Sequence, residues 1–267
     1  MQTLNIKKML DIAETVAKSA AKKLLQKVES LKQVDCDFSR DVKVKADKFL
    51  DEIIRKQLEQ KTDFPIISEE TVDSQKMGDG YQWIVDPLDG TTNFVHNYPA
   101  FAVSIGVFHK NKPIVGIVLE LPANRLFSAV EGQGAACNGD SIRVSEVTAL
   151  NNALLVTGFG YEHGEKWKEN MRLFQKLTDV TQGVRRLGAA SVDLCHVALG
   201  IVDGFWEFDL HPWDTASGIL ILVEAGGKVT GMDGKPFSIY DDNILATNGS
   251  LHPTLEAYTA DSIRTLT

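Results

Sequence analysis

Apolar residues recur every three or four positions in two segments near the start of the chain. In residues 6–28 they fall on one face of a helix, with lysines and acidic residues between them. Residues 46–60 repeat the pattern, and Asp47 stands in the first turn, where a negative charge interacts favourably with the helix dipole. The pattern predicts that two amphipathic helices open the fold.

After Pro65 the helical period gives way to short apolar runs that are typical of strands. These runs cover residues 65–68, 81–85, 102–108, 114–119 and 126–130. A turn at residues 109–113 joins the third run to the fourth and predicts a hairpin, and the glycines in residues 131–139 mark further turns. The middle of the chain is therefore predicted to be largely sheet.

The rest of the chain alternates between strand-like and helix-like segments. Strands are predicted at residues 154–157 and 202–208, and helices at residues 167–177, 190–199 and 213–225. Gly226 and Gly227 follow the last of these helices, as glycines do at a helix C-cap. This alternation favours a mixed, layered α/β architecture, with a soft boundary between two lobes near Asn151.

The charge balance and the cysteines narrow the classes of protein. The chain has 28 Lys and Arg residues against 36 Asp and Glu residues, a net charge of −8, which argues against nucleic acid as a partner. It has no run of about 18 apolar residues and no signal-peptide core, so we expect no membrane partner. Cys36, Cys137 and Cys195 form no CxxC pair, which is typical of a reducing compartment. A cytoplasmic location is predicted.

The segment from Trp83 to Phe94, WIVDPLDGTTNF, carries the most informative chemistry. Asp86 follows an apolar strand, and Asp89 comes three residues later, across a predicted turn. The two carboxylates and the peptide carbonyl of Leu88 between them are oxygen ligands, which a hard cation such as Mg²⁺ prefers. The segment therefore predicts part of a metal site.

Gly90, Thr91 and Thr92 follow at a predicted helix start, where unpaired N–H groups and the positive end of the dipole favour a phosphate. An Asp-Gly pair by itself most often marks only a turn. The full motif from Trp83 to Phe94 is less easily explained as a turn alone. We interpret it as a cation site beside an anion site.

Four further carboxylates stand at predicted strand ends or at a predicted helix start. Glu69 follows a strand, and the residues alone favour an exposed acidic strand end over a place in the same cleft as Asp86. Glu207 and Asp209 end another strand, where a polar strand face and hydrogen bonding to the hydroxyls of a polyol are equally compatible with the sequence. Asp214 lies in the first turn of a predicted helix, an ordinary place for a carboxylate.

With these residues the sequence resembles the inositol monophosphatase family, the Mg²⁺-dependent, lithium-sensitive phosphatases of the sugar-phosphatase superfamily. The matching blocks are Ser68-Glu69-Glu70, Trp83 to Phe94, Arg185 to Ala190, Ala198 to Gly204, and Trp213-Asp214 with Glu224-Ala-Gly-Gly227 behind it. The similarity extends from Asp41 to Asn248. The resemblance implies a layered αβαβα sandwich of the sugar-phosphatase type, formed by residues 1–267 as a single domain and assembled as a homodimer.

The resemblance also implies a set of metal ligands. Glu69, Asp86 and the Leu88 carbonyl would surround one Mg²⁺, and Asp86, Asp89 and Asp214 would hold a second, for a total of two or three ions. Carboxylates are the proper ligands for such metals. Lithium sensitivity is expected on the same ground.

Catalytic and substrate-binding roles follow from the same resemblance. Thr91, supported by Asp47, would act with Glu69 to orient a metal-bound water. The implied substrate-binding residues are Asp89, Gly90, Thr91, Ala190, Glu207 and Asp214. Among these, the Gly90 and Thr91 amides would hold the phosphate, and Ala190 and Glu207 would face the alcohol.

The expected function is Mg²⁺-dependent hydrolysis of a small polyol phosphate monoester, with myo-inositol 1-phosphate as the preferred substrate. Histidinol phosphate or another sugar phosphate is the alternative, and a mainly non-catalytic interaction protein is a further one. The chain carries no evident insertion for a second phosphate or an adenine, which argues against a bisphosphate or nucleotide substrate. One position departs from the family pattern: Cys36 stands where many members carry a lysine, while Lys43 and Lys45 lie closer to Asp47.

Overall fold

The computed structural model describes residues 5–32, 34–38, 41–71 and 78–266, and it describes side chains in residues 5–32, 44–70 and 78–266. The helices in these residues are α1 (Ile6–Gln26), α2 (Val28–Leu31), α3 (Lys45–Glu59), α4 (Thr91–Val95), α5 (Glu165–Val180), α6 (Ala190–Ala198), α7 (Pro212–Glu224) and α8 (His252–Leu266). The strands are β1 (Val34–Phe38), β2 (Asp41–Val44), β3 (Ile66–Ser68), β4 (Tyr81–Asp89), β5 (Phe101–His109), β6 (Lys112–Leu121), β7 (Arg125–Val130), β8 (Ala135–Cys137), β9 (Asp140–Ser141), β10 (Leu154–Thr157), β11 (Gly183–Arg185), β12 (Gly204–Phe208), β13 (Lys228–Thr230) and β14 (Asn243–Thr247).

Two sheets organise the described residues, beside a small hairpin of β1 and β2. The first sheet has seven strands in the order β3-β4-β5-β6-β7-β8-β9, and only β3 and β4 pair in parallel. The second has five strands in the order β11-β10-β12-β14-β13, with β10 parallel to β11 and β12. The first sheet is therefore mainly a meander, and the second is mixed.

Helices cover both sheets and separate them. Helices α1 and α3 pack on the outer face of the first sheet, α6 and α7 lie between the two sheets, and α5 and α8 pack on the outer face of the second. Apolar side chains fill each interface. The predicted αβαβα sandwich is confirmed.

Close packing of α7 on the first sheet fixes the position of Asp214. Gly106 and Gly116 are cross-strand neighbours on β5 and β6. A Cβ on Gly116 would lie 2.8 Å from the carbonyl oxygen of Ser217, so glycine lets the helix backbone approach the sheet. The hydroxyls of Ser104 and Ser217 hydrogen-bond at 3.0 Å in the same interface. Asp214, three residues before Ser217, is thereby held at the start of α7.

Most predicted elements are present, with shifted ends. Helix α3 (Lys45–Glu59) is shifted by one residue from the predicted range 46–60. Helix α5 (Glu165–Val180) extends beyond the predicted range 167–177 at both ends. The hairpin of β5 and β6 is confirmed, and Gly226 caps α7 with φ +91° and an N–H bonded to the Val223 carbonyl at 3.0 Å. None of the helices in the described ranges combines the length and apolar character that a membrane crossing requires.

Strand β4 corrects the prediction that its strand ends at Val85. It continues to Asp89, because Asp86 still pairs with Ser104 and Asp89 pairs with Ala102 on β5. The register shifts between these two pairs, so the residues predicted as a turn form an irregularity inside the strand. Both aspartates therefore belong to the sheet.

Helix α8 and the strands β13 and β14 were not predicted. The buried face of α8 consists of His252, Leu255, Thr259 and Ser262, so a reading based on apolar spacing does not detect it. The short β13 and the five-residue β14 depend on pairing with each other and with β12. Their sequence signal is weak because the sheet supplies much of their stabilisation.

Candidate active site

A cleft of about 1240 Å³ opens between the two sheets and contains the predicted carboxylates. From the side of the first sheet it is lined by Glu69, Asp86, Leu88, Asp89, Gly90 and Thr91. The start of α6, strand β12 and the start of α7 contribute Ala190, Glu207 and Asp214 to the lining. Nine of the ten predicted site residues thus share one cleft, and Asp47 lies directly behind Thr91.

Asp86 and Asp89 are held by backbone groups at the irregular end of β4. The Leu88 N–H donates to Asp86 Oδ1 at 3.0 Å, and Asp86 is only 2% exposed. Asp89 Oδ2 accepts a hydrogen bond from the Ser191 N–H at 2.8 Å and another from the Ser191 hydroxyl. Asp89 is therefore tied to the first turn of α6, 102 positions away in the sequence.

Thr91 and Asp47 form the second link between distant segments. The Thr91 hydroxyl lies 2.9 Å from Asp47 Oδ1 and 3.1 Å from the Leu88 carbonyl oxygen, and its one proton serves one of these acceptors at a time. Asp47 Oδ2 accepts the Val44 N–H at 2.8 Å, which caps the start of α3. The buried Asp47 carboxylate thus both caps a helix and holds the Thr91 side chain.

Gly90 brings α4 against α6. Its φ is +84°, and a Cβ there would lie 2.9 Å from the Ala100 carbonyl oxygen and 3.2 Å from Ala189 Cβ. Glycine alone fits this conformation and this approach without strain. Gly90 and Thr91, at the start of α4, consequently line the cleft beside the aspartates.

Asn93 is a site-building residue that the sequence analysis missed. Its buried Nδ2 donates to the Ala100 carbonyl at 2.6 Å and lies 2.8 Å from the Leu187 carbonyl. It thereby holds the loop before α6 against α4. Its only sequence signal is a polar side chain within the motif from Trp83 to Phe94, which does not identify the partners.

Asp214, at the start of α7, and Glu207, on β12, line the cleft as a pair of carboxyl groups. The His211 N–H donates to Asp214 Oδ2 at 2.6 Å, and burial, with a smaller effect of the Asp89 charge, raises the pKa of Asp214 to about 7. Glu207 packs so closely on Gly158 that a Cβ there would lie 2.0 Å from Glu207 Oε1. Burial, followed by the Asp214 charge, raises the pKa of Glu207 well above its ordinary value.

The carboxylates also interact electrostatically across elements. Burial, then the charges of Glu69, Asp89 and Asp214, raises the pKa of Asp86 well above its ordinary value. In the described part of the chain, no three or more His, Cys, Asp or Glu side chains are arranged to hold a metal ion. The carboxylates and the Leu88 carbonyl nevertheless make an all-oxygen donor set, and a bound cation would offset their repulsion. This chemistry fits Mg²⁺.

Three further positions complete the comparison with the sequence. Arg186 lines the cleft, and its positive charge opposes the rise in the pKa of Glu207. Asp209, named beside Glu207 as a candidate, also lines the cleft. The side chain of Cys36, at the usual lysine position, lies outside the described residues.

Known proteins match both the sequence and the fold. The model of the inositol monophosphatase family matches residues 5–265. A phosphatase of Arabidopsis thaliana, IMPL1, chloroplastic, is 45% identical over 263 residues, which cover 95% of this chain and 70% of that protein. An inositol-1-monophosphatase of Synechocystis sp. is 42% identical over 216 residues, which cover 80% of this chain and 75% of that protein. The Nus factor SuhB of Escherichia coli is 37% identical over 246 residues, which cover 90% of this chain and 91% of that protein.

The solved structure of an inositol monophosphatase from Anabaena (Nostoc) sp. superposes with a TM-score of 0.86 at 38% identity, covering 97% of each chain. The family match, the similarity of fold and the oxygen-rich cleft therefore lead to the same assignment. The chain belongs to the inositol monophosphatase family and is a phosphoric monoester hydrolase.

Proposed function

We propose that the protein hydrolyses a small polyol phosphate monoester, with myo-inositol 1-phosphate as its substrate and myo-inositol and phosphate as its products. The observation that carries this proposal is the single cleft in which Asp86, Asp89 and Asp214 lie beside the hydrogen-bonded Thr91 and Asp47. The names of the Synechocystis and Anabaena proteins support the same substrate. We call the part formed by Asp86, Asp89, Gly90 and Thr91 the phosphate end.

The cofactor in this proposal is Mg²⁺, bound as two or three ions. Glu69, Asp86 and the Leu88 carbonyl would hold one ion, and Asp86 would share a second with Asp89 and Asp214. When bound, Mg²⁺ offsets the negative charge of the phosphate and lowers the pKa of water. We expect inhibition by Li⁺ on the basis of family membership.

At the phosphate end, the chain's own groups bind the phosphate and accept a proton. The N–H groups of Gly90 and Thr91 bind phosphate oxygens at the start of α4. Because the Thr91 hydroxyl donates its proton to Asp47 Oδ1, its oxygen lone pairs remain to accept a hydrogen bond from the attacking water. As a proton of the water passes to Thr91 Oγ1, the hydroxyl proton of Thr91 passes to Asp47 Oδ1. Glu69, which lines the same cleft, orients the water.

The alcohol end is the part of the cleft formed by Ala190, Glu207, Asp209 and residues 159–164. Within the residues that the structure describes, the Glu207 carboxylate has no hydrogen-bond partner of its own, so its oxygens are available to accept hydroxyl protons of a polyol. Ala190 offers a small apolar surface beside it. Asp89 of the phosphate end and Asp214 also line the cleft and complete the substrate site.

Phosphate release tests the proposal directly. Inositol 1-phosphate, histidinol phosphate, fructose 1,6-bisphosphate and 3′-phosphoadenosine 5′-phosphate would be compared with Mg²⁺, with chelator and with Li⁺. We expect a strong, Mg²⁺-dependent preference for inositol 1-phosphate. Equal or greater release from histidinol phosphate would move the assignment to that alternative.

An interaction role is the second candidate, because the Escherichia coli relative bears the name of a Nus factor. The intact set of Glu69, Asp86, Asp89, Thr91 and Asp214 favours catalysis over a purely structural role. A pull-down with the inactive Asp89→Asn protein separates the two, since a partner retained by that variant supports an additional role.

We also propose that the protein forms a homodimer, as the family membership suggests. Sedimentation equilibrium of the full chain tests this, and a single monomeric species would contradict it. The cytoplasmic location stays a prediction.

A further inference from the structure

Residues 159–164 form the outer wall of the alcohol end, and this wall is anchored at its first end by a buried network. The Gly158 carbonyl accepts a hydrogen bond from Asn170 Nδ2 at 2.7 Å. Asn170 Oδ1 in turn accepts the indole N–H of Trp206 at 2.6 Å. The beginning of the wall is therefore fixed to α5 and to β12.

The second end of the wall is anchored by one ammonium group. Lys166, the second residue of α5, donates to Asp209 Oδ1 at 2.8 Å and to Asp242 Oδ2 at 2.6 Å. Asp209 follows β12 and Asp242 precedes β14, and the Asp209 N–H donates to the Asp242 carbonyl at 2.6 Å. We call Lys166, Asp209 and Asp242 the clasp.

The local conformation of the clasp is unfavourable without its ion pairs. Lys166 places a positive charge at the positive end of the α5 dipole, where a cation is disfavoured. Asp209 has a φ of +61°, a region that non-glycine residues rarely adopt. Partial burial lowers the pKa of Lys166, but hydrogen bonds to Asp209 and Asp242 outweigh this effect and raise it. The two ion pairs compensate for both local costs.

The clasp also contacts the groups that face the substrate. A Cβ on Gly160 in the wall would lie 3.0 Å from Asp209 Oδ2, so the wall packs directly on Asp209. Asp209 and Asp242 both line the cleft, and Glu207 lies two positions before Asp209 on the same strand end. Movement of the wall relative to Asp209 would therefore change the shape of the alcohol end.

We propose that the clasp positions residues 159–164 against Glu207 and thereby determines how tightly the alcohol part of the substrate is held. Lys166 is a positioning residue in this proposal, because it acts through the wall and not on the reacting phosphate. The inference rests on the proposed function for its substrate, but the anchoring of the wall is independent of that function.

The test compares Lys166→Met with Lys168→Met in the full-length, Mg²⁺-loaded protein. Lys168 lies on the same helix and pairs with the exposed Glu165 at 2.6 Å, outside the cleft. For Lys166→Met we expect KM for inositol 1-phosphate to rise about fivefold, the upper range for exposed ion pairs, with kcat within about twofold. Lys168→Met should match the wild type, and Lys166→Arg should recover most of the lost affinity.

Hydrogen exchange of the free protein provides a readout that requires no substrate. We expect faster exchange in residues 159–164 for Lys166→Met and no change for Lys168→Met. Unchanged exchange together with an unchanged KM would overturn the proposal, as would a loss confined to kcat. If the wild type released no phosphate from inositol 1-phosphate, the proposed function would fail, while exchange would still decide whether the clasp exists. Asp242→Asn, at a side chain that is 58% exposed, repeats the test if Lys166→Met does not fold.

Discussion

The phosphate end of the cleft is built from buried carboxylates that each accept hydrogen bonds from the protein, whereas the alcohol end is held by exposed charges. Asp86 is 2% exposed and Asp89 is 8% exposed. At the alcohol end, Lys166 and Asp242 have 39% and 58% of their side chains exposed. Buried hydrogen-bonded groups keep one geometry, while exposed ion pairs are screened and yield more easily. The comparison suggests that the chemistry is fixed rigidly and the selectivity is adjustable.

Removal of a charge at the phosphate end should have the largest effect. Asp89→Asn keeps the size of the side chain and can still accept the Ser191 hydrogen bonds, but it removes a charged oxygen ligand. We expect turnover of inositol 1-phosphate to fall by about a thousandfold or more, with the fold retained. Phosphate release and circular dichroism measure the two properties, and full activity in this variant would exclude the mechanism.

Loss of the Thr91 hydroxyl should come next. Thr91→Ala removes the group that links the attacking water to Asp47, so kcat should fall by about a hundredfold. Thr91→Ser retains the hydroxyl and serves as the control. Because Thr91 and Asp47 act through one hydrogen bond, adding Asp47→Asn to Thr91→Ala should cost little more. If the fold-loss of kcat in the double variant equals the product of the two single losses, the two residues act separately.

A change at the alcohol end should act mainly on binding. Glu207→Gln keeps the shape but replaces a charged acceptor, so KM for inositol 1-phosphate should rise about tenfold while kcat changes less. Steady-state kinetics of phosphate release at several substrate concentrations separates the two constants. A loss in kcat with KM unchanged would contradict the claim that the alcohol end acts mainly on substrate binding.

The smallest expected effect is a pH dependence of stability in the metal-free protein. The pKa of Asp214 rises from 3.8 to about 7 on folding, so the folded state binds this proton more strongly than the unfolded chain. Its contribution to stability is complete below about pH 4 and is lost as the pH rises through about 7. Asp214→Asn removes this dependence.

We therefore expect the Tm of Asp214→Asn, relative to the wild type in chelator, to increase between pH 5 and pH 8. Thermal unfolding of both proteins across that range provides the measurement. A constant difference in Tm would show that Asp214 does not titrate in this way. Added Mg²⁺ should stabilise the wild type more than the variant at pH 8, because the variant lacks one charged ligand.

Local patterns predicted the elements whose stabilisation is local. The spacing of apolar residues predicted α1 and α3, and the turn at residues 109–113 predicted the hairpin of β5 and β6. Helix α8 was missed because its buried face is largely polar. The assignment of residues 1–267 to one domain, with a boundary near Asn151, stays a prediction, although the first sheet ends at Ser141 and the second begins with Leu154.

The sequence by itself identified the residues that we propose for the phosphate end, because Asp86, Asp89, Gly90 and Thr91 lie within one short motif whose backbone brings them together. The tertiary structure decided the partners: Ser191 for Asp89, Asp47 for Thr91, and both aspartates of the clasp for Lys166. These partners stand on different elements, and their meeting depends on how two sheets and three helix layers pack. Residue types show what a side chain is able to bind, but only packing sets which groups lie within reach.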